Sequence, residues 1–411
     1  MARRESTPES PGSRALIVDL VRSSGPISRV ELTQATGLTQ PAVSVIVRKL
    51  LDDGVIVEKG SAPSTGGKPR RLLDINSRAG IGIGIQLGFD TMTFVATDTN
   101  GGVVARQGFW GAQTAPPIEV VQRIGHAYRQ FLGLAGVTVA DVTGVAVVVP
   151  GPLDHDHGGI VEAPTLPSWT GFPLRRHLEE TLAVPVLVDN DASAAALGEF
   201  WSRGVSRYST FGAIYLGTGI GAGVVTDGSL YRGASSNATE IGHISIDSAG
   251  ALCACGNYGC LELVASPGAI LREAATRRGE LTGLDLSFEP GLVQFDYDTL
   301  SLAAIAGHAA AEALITRGAR AVASATLTFC NLFDLDEIVL TGPAMANAGS
   351  IYARETRAAL ERSFARRSHP VSVDLSANPR DAAAIGAAAM TLQGSLAPGH
   401  GPALAFTTAT R

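Results

Sequence analysis

Lysine is almost missing from this 411-residue chain: Lys49, Lys59 and Lys68 are the only three, and all fall within the first 78 residues. The scarcity goes with an uneven charge. Residues 1–78 carry twelve Lys or Arg against eight Asp or Glu, net +4, whereas the remainder carries twenty against thirty, net −10. A charged partner meets local sign rather than the total, so a basic head on an acidic body suits phosphate backbone at one end only. Apolar runs of membrane-spanning length are also missing, and no basic start leads into an apolar stretch; neither insertion nor secretion is indicated, and a cytoplasmic location is expected. Cysteine is scarce, with four in all. Three of them, Cys253, Cys255 and Cys260, lie within eight residues, which speaks against a disulfide framework and for a metal. Cys330, in the apolar helical run 323–332, reads as a core thiol. With 45% hydrophobic and 17% charged residues, the chain is long enough for two or three domains with their own cores.

The head has a readable order. Residues 1–12 contain Pro and Ser and are expected to be disordered. Leu16, Ile17, Leu20 and Val21 recur at helical spacing until Gly25 and Pro26 stop the helix. Ser28 and Glu31 form a capping-box pattern that starts a second short helix, predicted to bury Leu32 and Ala35 and to end at Gly37. Thr39 then caps a third helix with Pro41 in its first turn and an apolar stripe of Val43, Ile46, Val47 and Leu50. The opposite face presents Gln40, Ser44 and Arg48, a ridge suited to a major groove, with Gln40 and Ser44 near the end that reads bases and Arg48 and Lys49 toward phosphates. Val55 to Glu58 and Arg71 to Ile75 read as strands around a Gly/Ser/Pro loop carrying Lys68, Arg70 and Arg71. A winged helix-turn-helix over residues 13–78 follows, with double-stranded DNA as its expected partner. A helical protein-docking module is the alternative, and the basic wing argues against it.

Three thiolates and one imidazole complete a tetrahedral set that zinc favours in a closed structural site, and His243 stands ten residues before Cys253. Gly256 and Gly259 permit the tight wrap. The cysteines as mere buried small hydrophobes is the bland reading, and clustering at ligand spacing disfavours it. Glu240, Ile241, Gly242, His243 followed by Cys253, Ala254, Cys255, Gly256, Asn257, Tyr258, Gly259, Cys260, Leu261, Glu262 resembles the signature of the ROK family, which contains sugar kinases and sugar-responsive repressors.

That resemblance implies an α/β body with the two-lobed, actin-like (ribonuclease H-like) sugar kinase fold over residues 79–394. The lobes are expected at about 79–190 and 191–394, with a zinc loop at 243–260 and a tail at 395–411. Short β-rich runs support duplication: Ile81 to Leu87, Met92 to Asp98, Val103 to Gly108 and Gly144 to Val149, with a helix from Ile118 to Leu134. Later come Phe211 to Leu216, Gly221 to Thr226, a helix-like Leu302 to Phe333 and Glu337 to Leu340. The resemblance also implies that Asn190, Asp191, Glu240, His243 and Glu262 contact sugar, and that Asp191 matches the kinase general base. Capping of the helix from Ala192 to Trp201 is a second role open to Asp191.

The phosphate side departs from the family pattern. Where the kinases carry Asp-x-Gly-Gly-Thr, this chain has Gln86, Leu87, Gly88, Phe89, Asp90, so the metal-serving carboxylate is lost and Phe89 obstructs backbone approach. Leu216 to Gly221 keeps the second glycine loop, whereas Thr341, Gly342 and Pro343 replace the glycines expected beside adenosine. Ser236 and Thr239 also stand where family members have glycine, and Thr165 where asparagine is common. These changes imply a smaller or differently hydroxylated sugar, a phosphorylated one, or an empty pocket. Asp154, His155, Asp156 and His157 before Gly158 read as a turn rather than a metal site. The function expected is a DNA-binding repressor of carbohydrate genes, without enzyme activity. It would bind a palindromic operator as a homodimer or homotetramer and answer to a sugar or sugar-phosphate effector. A sugar kinase with an added head, or a DNA binder with a vestigial pocket, are the alternatives.

Overall fold

Local signals set the helices of the head in the computed structural model, which describes residues 11–61, 69–161, 166–207 and 209–396. Helix α1 (Pro11–Ser24) buries Ile17, Leu20 and Val21. It starts inside the stretch expected to be unstructured, of which residues 1–10 lie outside the described set. In α2 (Arg29–Thr36) the capping box forms: the Glu31 amide donates to Ser28 Oγ at 3.4 Å and the Ser28 amide donates to the Glu31 carboxylate at 2.8 Å. These bonds hold Glu31 below the usual carboxylate range. Ala35 is exposed, against expectation, because α2 is two turns long, rests on the core through Leu32, and is stopped at Gly37 in the left-handed conformation. Helix α3 (Gln40–Asp52) is capped by Thr39 and buries Val43, Ile46, Val47 and Leu50 as its stripe predicts. Strands β1 (Ile27–Ser28), β2 (Ile56–Ser61) and β3 (Arg71–Ile75) form an antiparallel sheet in the order β1-β3-β2. The wing tip, with Lys68, lies outside the described residues.

The body repeats one plan twice. Strands β4 (Ile81–Leu87), β5 (Thr91–Asp98) and β6 (Val103–Trp110) form a meander; after α4 (Pro117–Ala135), β7 (Val142–Val149) joins parallel to β4. A small hairpin, β8 (Leu153–Asp154) and β9 (Gly159–Ile160), and α5 (Leu174–Leu182) lead to β10 (Val186–Asn190), parallel to β7. Helix α6 (Asp191–Ser202) crosses to a second meander, β11 (Phe211–Leu216), β12 (Ile220–Thr226) and β13 (Ser229–Leu230). Helices α7 (Glu262–Ala265), α8 (Pro267–Thr276), α9 (Val293–Ile305) and α10 (Ala309–Phe333) precede β14 (Glu337–Thr341). Helix α11 (Met345–Arg362), β15 (Ser372–Leu375) and α12 (Ala382–Leu396) complete the body. The sheets, β10-β7-β4-β5-β6 and β15-β14-β11-β12-β13, match strand for strand, each with a meander on one side and two parallel strands on the other. The duplicated, two-lobed α/β fold is present.

Two expectations need correction. The single helix expected from Leu302 to Phe333 is two, meeting at 109°, because Gly307 adopts φ +90° and His308 caps α10. The division of lobes at residue 190 fails for α12, which packs on β4, β5 and β7 of the first lobe and against α6. Gly198 of α6 and Gly386 of α12 face each other so closely that a Cβ on either would strike backbone, which is what glycine there permits. No single helix among the described residues is long and apolar enough to cross a membrane.

Candidate ligand cleft, metal cluster and DNA-facing helix

The turn between β10 and α6 places the first ligand groups. Asn190 is the helix N-cap: its Oδ1 accepts from the Ala192 and Ser193 amides at 2.9 and 3.0 Å, and its Nδ2 donates to the Gly151 carbonyl at 3.3 Å. Capping therefore falls to Asn190, leaving Asp191 at the first helical position with Oδ1 accepting from its neighbour Ala192 at 2.9 Å. Asp191 opens on a cavity of about 120 Å³ whose wall also includes Asn190, Glu240, His243 and Glu262. All five residues predicted to face sugar are thus brought together. Burial, with Glu240 and Glu262 nearby, raises the Asp191 carboxyl to about 6, and burial also raises Glu240. Glu262 accepts from the Ile220 amide at 3.2 Å, which fixes it to the glycine loop. Ser236 and Thr239 keep the positive φ of the glycines they replace, +63° and +71°. Neither lines the cavity; Thr239 Oγ1 donates to the Ala222 carbonyl at 2.7 Å. Thr165 lies outside the described residues.

Asp191 also borders a second, larger cleft of about 690 Å³, on the side where a kinase holds nucleotide. Its floor is crossed by a contact between lobes: Gln86 Nε2 of β4 donates to the Tyr215 hydroxyl of β11 at 2.5 Å. The amide that replaces the family carboxylate is thereby occupied by a neutral partner. The Gly88 amide is likewise taken, donating to the Thr91 carbonyl at 2.9 Å, so the one glycine kept in this loop does not turn its amide to phosphate. Tyr215 was missed in the sequence; a tyrosine directly before a glycine loop, the one hydroxyl-bearing residue in the apolar strand Phe211–Leu216, was the available signal. Arg232 was missed too. It grips the buried Asp189 with both guanidinium nitrogens, at 2.8 and 2.6 Å, and ties the segment after β13 to β10.

His243, Cys253, Cys255 and Cys260 converge, their ligand atoms all within 4.8 Å of one another. The Cys253 Sγ lies 3.7 Å from His243 Nδ1, and the Cys255 and Cys260 Sγ atoms lie 3.6 Å apart. Tetrahedral ligands at metal–sulfur distances of about 2.3 Å stand about 3.8 Å from each other, so the donors fit one metal ion. Asn257 Nδ2 donates to the His243 carbonyl at 3.1 Å and locks the histidine backbone against the loop. His243 thereby belongs to the cluster and the small cavity at once. The histidines at 155 and 157 take no part: His157 Nδ1 meets Asp154 at 2.7 Å inside the expected turn.

On the head, Thr39, Gln40, Arg48 and Lys49 are exposed and Ser44 is half-buried. Thr39 Oγ1 caps α3 at 3.4 Å from the Ala42 amide. Arg70, just before β3, and Arg71, its first residue, are exposed, with Arg71 paired to Glu58 at 2.5 Å. The head shares a core with the body. Ile17, Val18, Leu20 and Val21 of α1 join Phe200, Trp201 and Val205 in one cluster. Arg22 Nη1 donates to the Trp201 carbonyl at 2.9 Å with its guanidinium 4.9 Å over the Trp201 ring, and Arg207 pairs with Asp19 at 3.0 Å. Helix α6 therefore runs from the small cavity to the underside of the DNA-binding head.

A winged helix-turn-helix DNA-binding profile matches residues 16–57. The putative xylose repressor of Caldicellulosiruptor sp. (strain Rt8B.4) is 29% identical over 386 residues, covering 94% of this chain and 96% of that protein. A ROK family transcriptional regulator homologous to the E. coli MLC protein shares the fold with a TM-score of 0.72, at 24% identity over 95% of this chain and 98% of its own. A ROK family glucokinase from Streptomyces griseus, solved with glucose and AMPPNP, has a TM-score of 0.61 at 26% identity over 75% of this chain and 98% of its own. The ROK family profile spans residues 82–394, and the chain belongs to that family.

Proposed function

We propose that this protein is a sequence-specific DNA-binding repressor whose operator affinity is set by a sugar or sugar derivative held in the small cavity. One observation carries the reading: an exposed α3 ridge shares the chain with a cavity whose carboxylates converge, while on the nucleotide side Gln86 bonds Tyr215 instead of serving metal. The relative named a xylose repressor makes xylose the first candidate effector. Zinc is the ion assigned to His243, Cys253, Cys255 and Cys260, holding His243 and Glu262 at the cavity wall. A homodimer or homotetramer reading a palindromic operator in the cytoplasm completes the proposal. Effector bound at Asn190 and Asp191 would act on the N-terminal end of α6, whose other end supports α1. A differential affinity of a few kcal/mol between two head positions suffices for induction.

The test is selection of genomic duplexes by the purified full-length protein, followed by binding of the recovered fragment with and without sugar. A recovered inverted repeat released by xylose or another monosaccharide supports the proposal; recovery of no preferred sequence overturns it. A second reading, an ATP-dependent sugar kinase, is favoured by the retained Asp191. Sugar-dependent ATP turnover that Asp191→Asn abolishes would establish it instead. At the DNA surface, Gln40→Ala should relax preference at particular bases, by about 1–3 kcal/mol at the position read. Arg70→Ala should weaken all sequences alike and lower the slope of log affinity against log salt by about one. Binding isotherms at several salt concentrations check both.

A further inference from the structure

We infer that the cleft in which the family's kinases hold nucleotide is here a second carbohydrate subsite, so that the effector is an oligosaccharide rather than a single sugar ring. The inference rests on the proposed function and extends it. Asp191, Pro150, Tyr215, Gly217 and Thr218 line both the small cavity and the larger cleft, so the two adjoin along a shared wall.

Strand register lays out the floor of the larger space. Gln86 pairs with Thr93, and Thr93 with Gly108, so these residues form one row across β4, β5 and β6 on the cleft side. Trp110 stands two residues beyond Gly108 on the same face, beside Thr91, and is 75% exposed. With strands about 4.8 Å apart and a rise of about 3.4 Å per residue, Trp110 lies about 12 Å from Gln86, further than one monosaccharide in the small cavity reaches. An exposed indole over a floor of threonine and glycine is a platform for the apolar face of a sugar ring. Gln130 offers its amide to hydroxyls, and Gln107 and Gln294, whose Nε2 atoms each donate once within the protein, to the Gly108 carbonyl and to Asp298, keep a second N–H and the amide oxygen.

The charges of the cleft point away from nucleotide. Its two arginines are already paired, Arg106 with Asp381 at 2.5 Å and Arg380 with Asp298 at 2.9 Å, while Asp90 and Asp191 add carboxylates. A triphosphate would meet paired cations, acid groups and a Gly88 amide already spent on Thr91; a neutral glycan meets hydrogen-bonding groups and an aromatic face.

Titration calorimetry of the full-length protein with xylose, glucose and N-acetylglucosamine, and with the β-1,4-linked disaccharide of each, tests the inference. One disaccharide is expected to bind at least tenfold tighter than its monosaccharide. Trp110→Ala should erase that advantage while leaving monosaccharide affinity within twofold. Gly108→Leu should do the same, since a Cβ there meets nothing within 4 Å and the added side chain would extend into the groove. Monosaccharide binding with no gain from any disaccharide would overturn this inference and leave the proposed function standing. Silence from every one of these sugars would overturn this inference, and silence from their phosphates as well would overturn the sugar response of the proposed function; tight binding of magnesium ATP without sugar would return the cleft to nucleotide.

Discussion

Asp191→Asn is expected to stabilise the folded protein by about 3 kcal/mol at pH 8 and to lose that advantage as the pH falls. Burial, with Glu240 and Glu262 adding repulsion, raises this carboxyl from 3.8 to about 6 in the folded chain. The folded state then holds the proton more tightly than the unfolded state, so folding is opposed wherever the side chain must ionise. The penalty is absent below about pH 4, grows between about 4 and 6, and is complete above that window. Asparagine keeps the shape and the acceptor for the Ala192 amide without the charge. Denaturant midpoints of both proteins at pH 8 and pH 4 provide the measurement. An equal difference at the two pH values, or a less stable variant at pH 8, would show that the carboxylate is not held in this unfavourable environment. A group retained at such a cost fits a ligand-binding role, because a hydrogen-bonding ligand relieves in the complex what the empty cavity imposes.

Cys255→Ser is expected to abolish metal binding and, with it, the response to sugar, while operator binding survives. Cys255 is exposed, whereas Cys253 and Cys260 are buried, so serine at 255 costs little packing and the loss reads on the metal alone. Structural zinc sites in small peptides contribute about 10–16 kcal/mol of apparent binding energy at neutral pH, and that energy depends on the full set of ligands. The loop around Gly256 and Gly259 would then be held by backbone contacts and the Asn257 amide, and the His243 ring would lose its fixed place at the cavity wall, loosening Glu262 beside it. Elemental analysis of purified protein should find one zinc per chain in the parent and almost none in the variant, and a chelator should reproduce the variant in the parent. Unchanged zinc content would remove the metal assignment; a sugar response that outlives the metal would disconnect the cluster from the cavity.

Much of this was legible in the residues because the signals were local. The capping box of Ser28 and Glu31, the stripe on α3 and the cysteine spacing each involve groups a few positions apart, and each is found in place. What resisted reading depends on distant partners. Helix α12 is alanine-rich and buried along nearly its whole surface, so it has no amphipathic period to betray it, and its contacts are with strands some 300 residues earlier in the chain. The bond between Gln86 and Tyr215 joins two lobes, and the grip of Arg232 on Asp189 joins a loop to a strand; neither has a spacing rule behind it. The family resemblance marked position 86 as altered, but the fold reveals what the amide now does there.

The merged core beneath α1 has a consequence for how such proteins diversify. Ile17, Val18, Leu20 and Val21 are shielded in common with Phe200 and Trp201, and Arg22 and Asp19 find their counterparts beyond residue 200. Severed near residue 78, the recognition unit would present that greasy flank and an orphaned guanidinium to water. Transplanting it onto another body therefore demands that the recipient supply a matching aromatic seat, so promoter choice and effector choice are inherited together rather than shuffled as interchangeable cassettes.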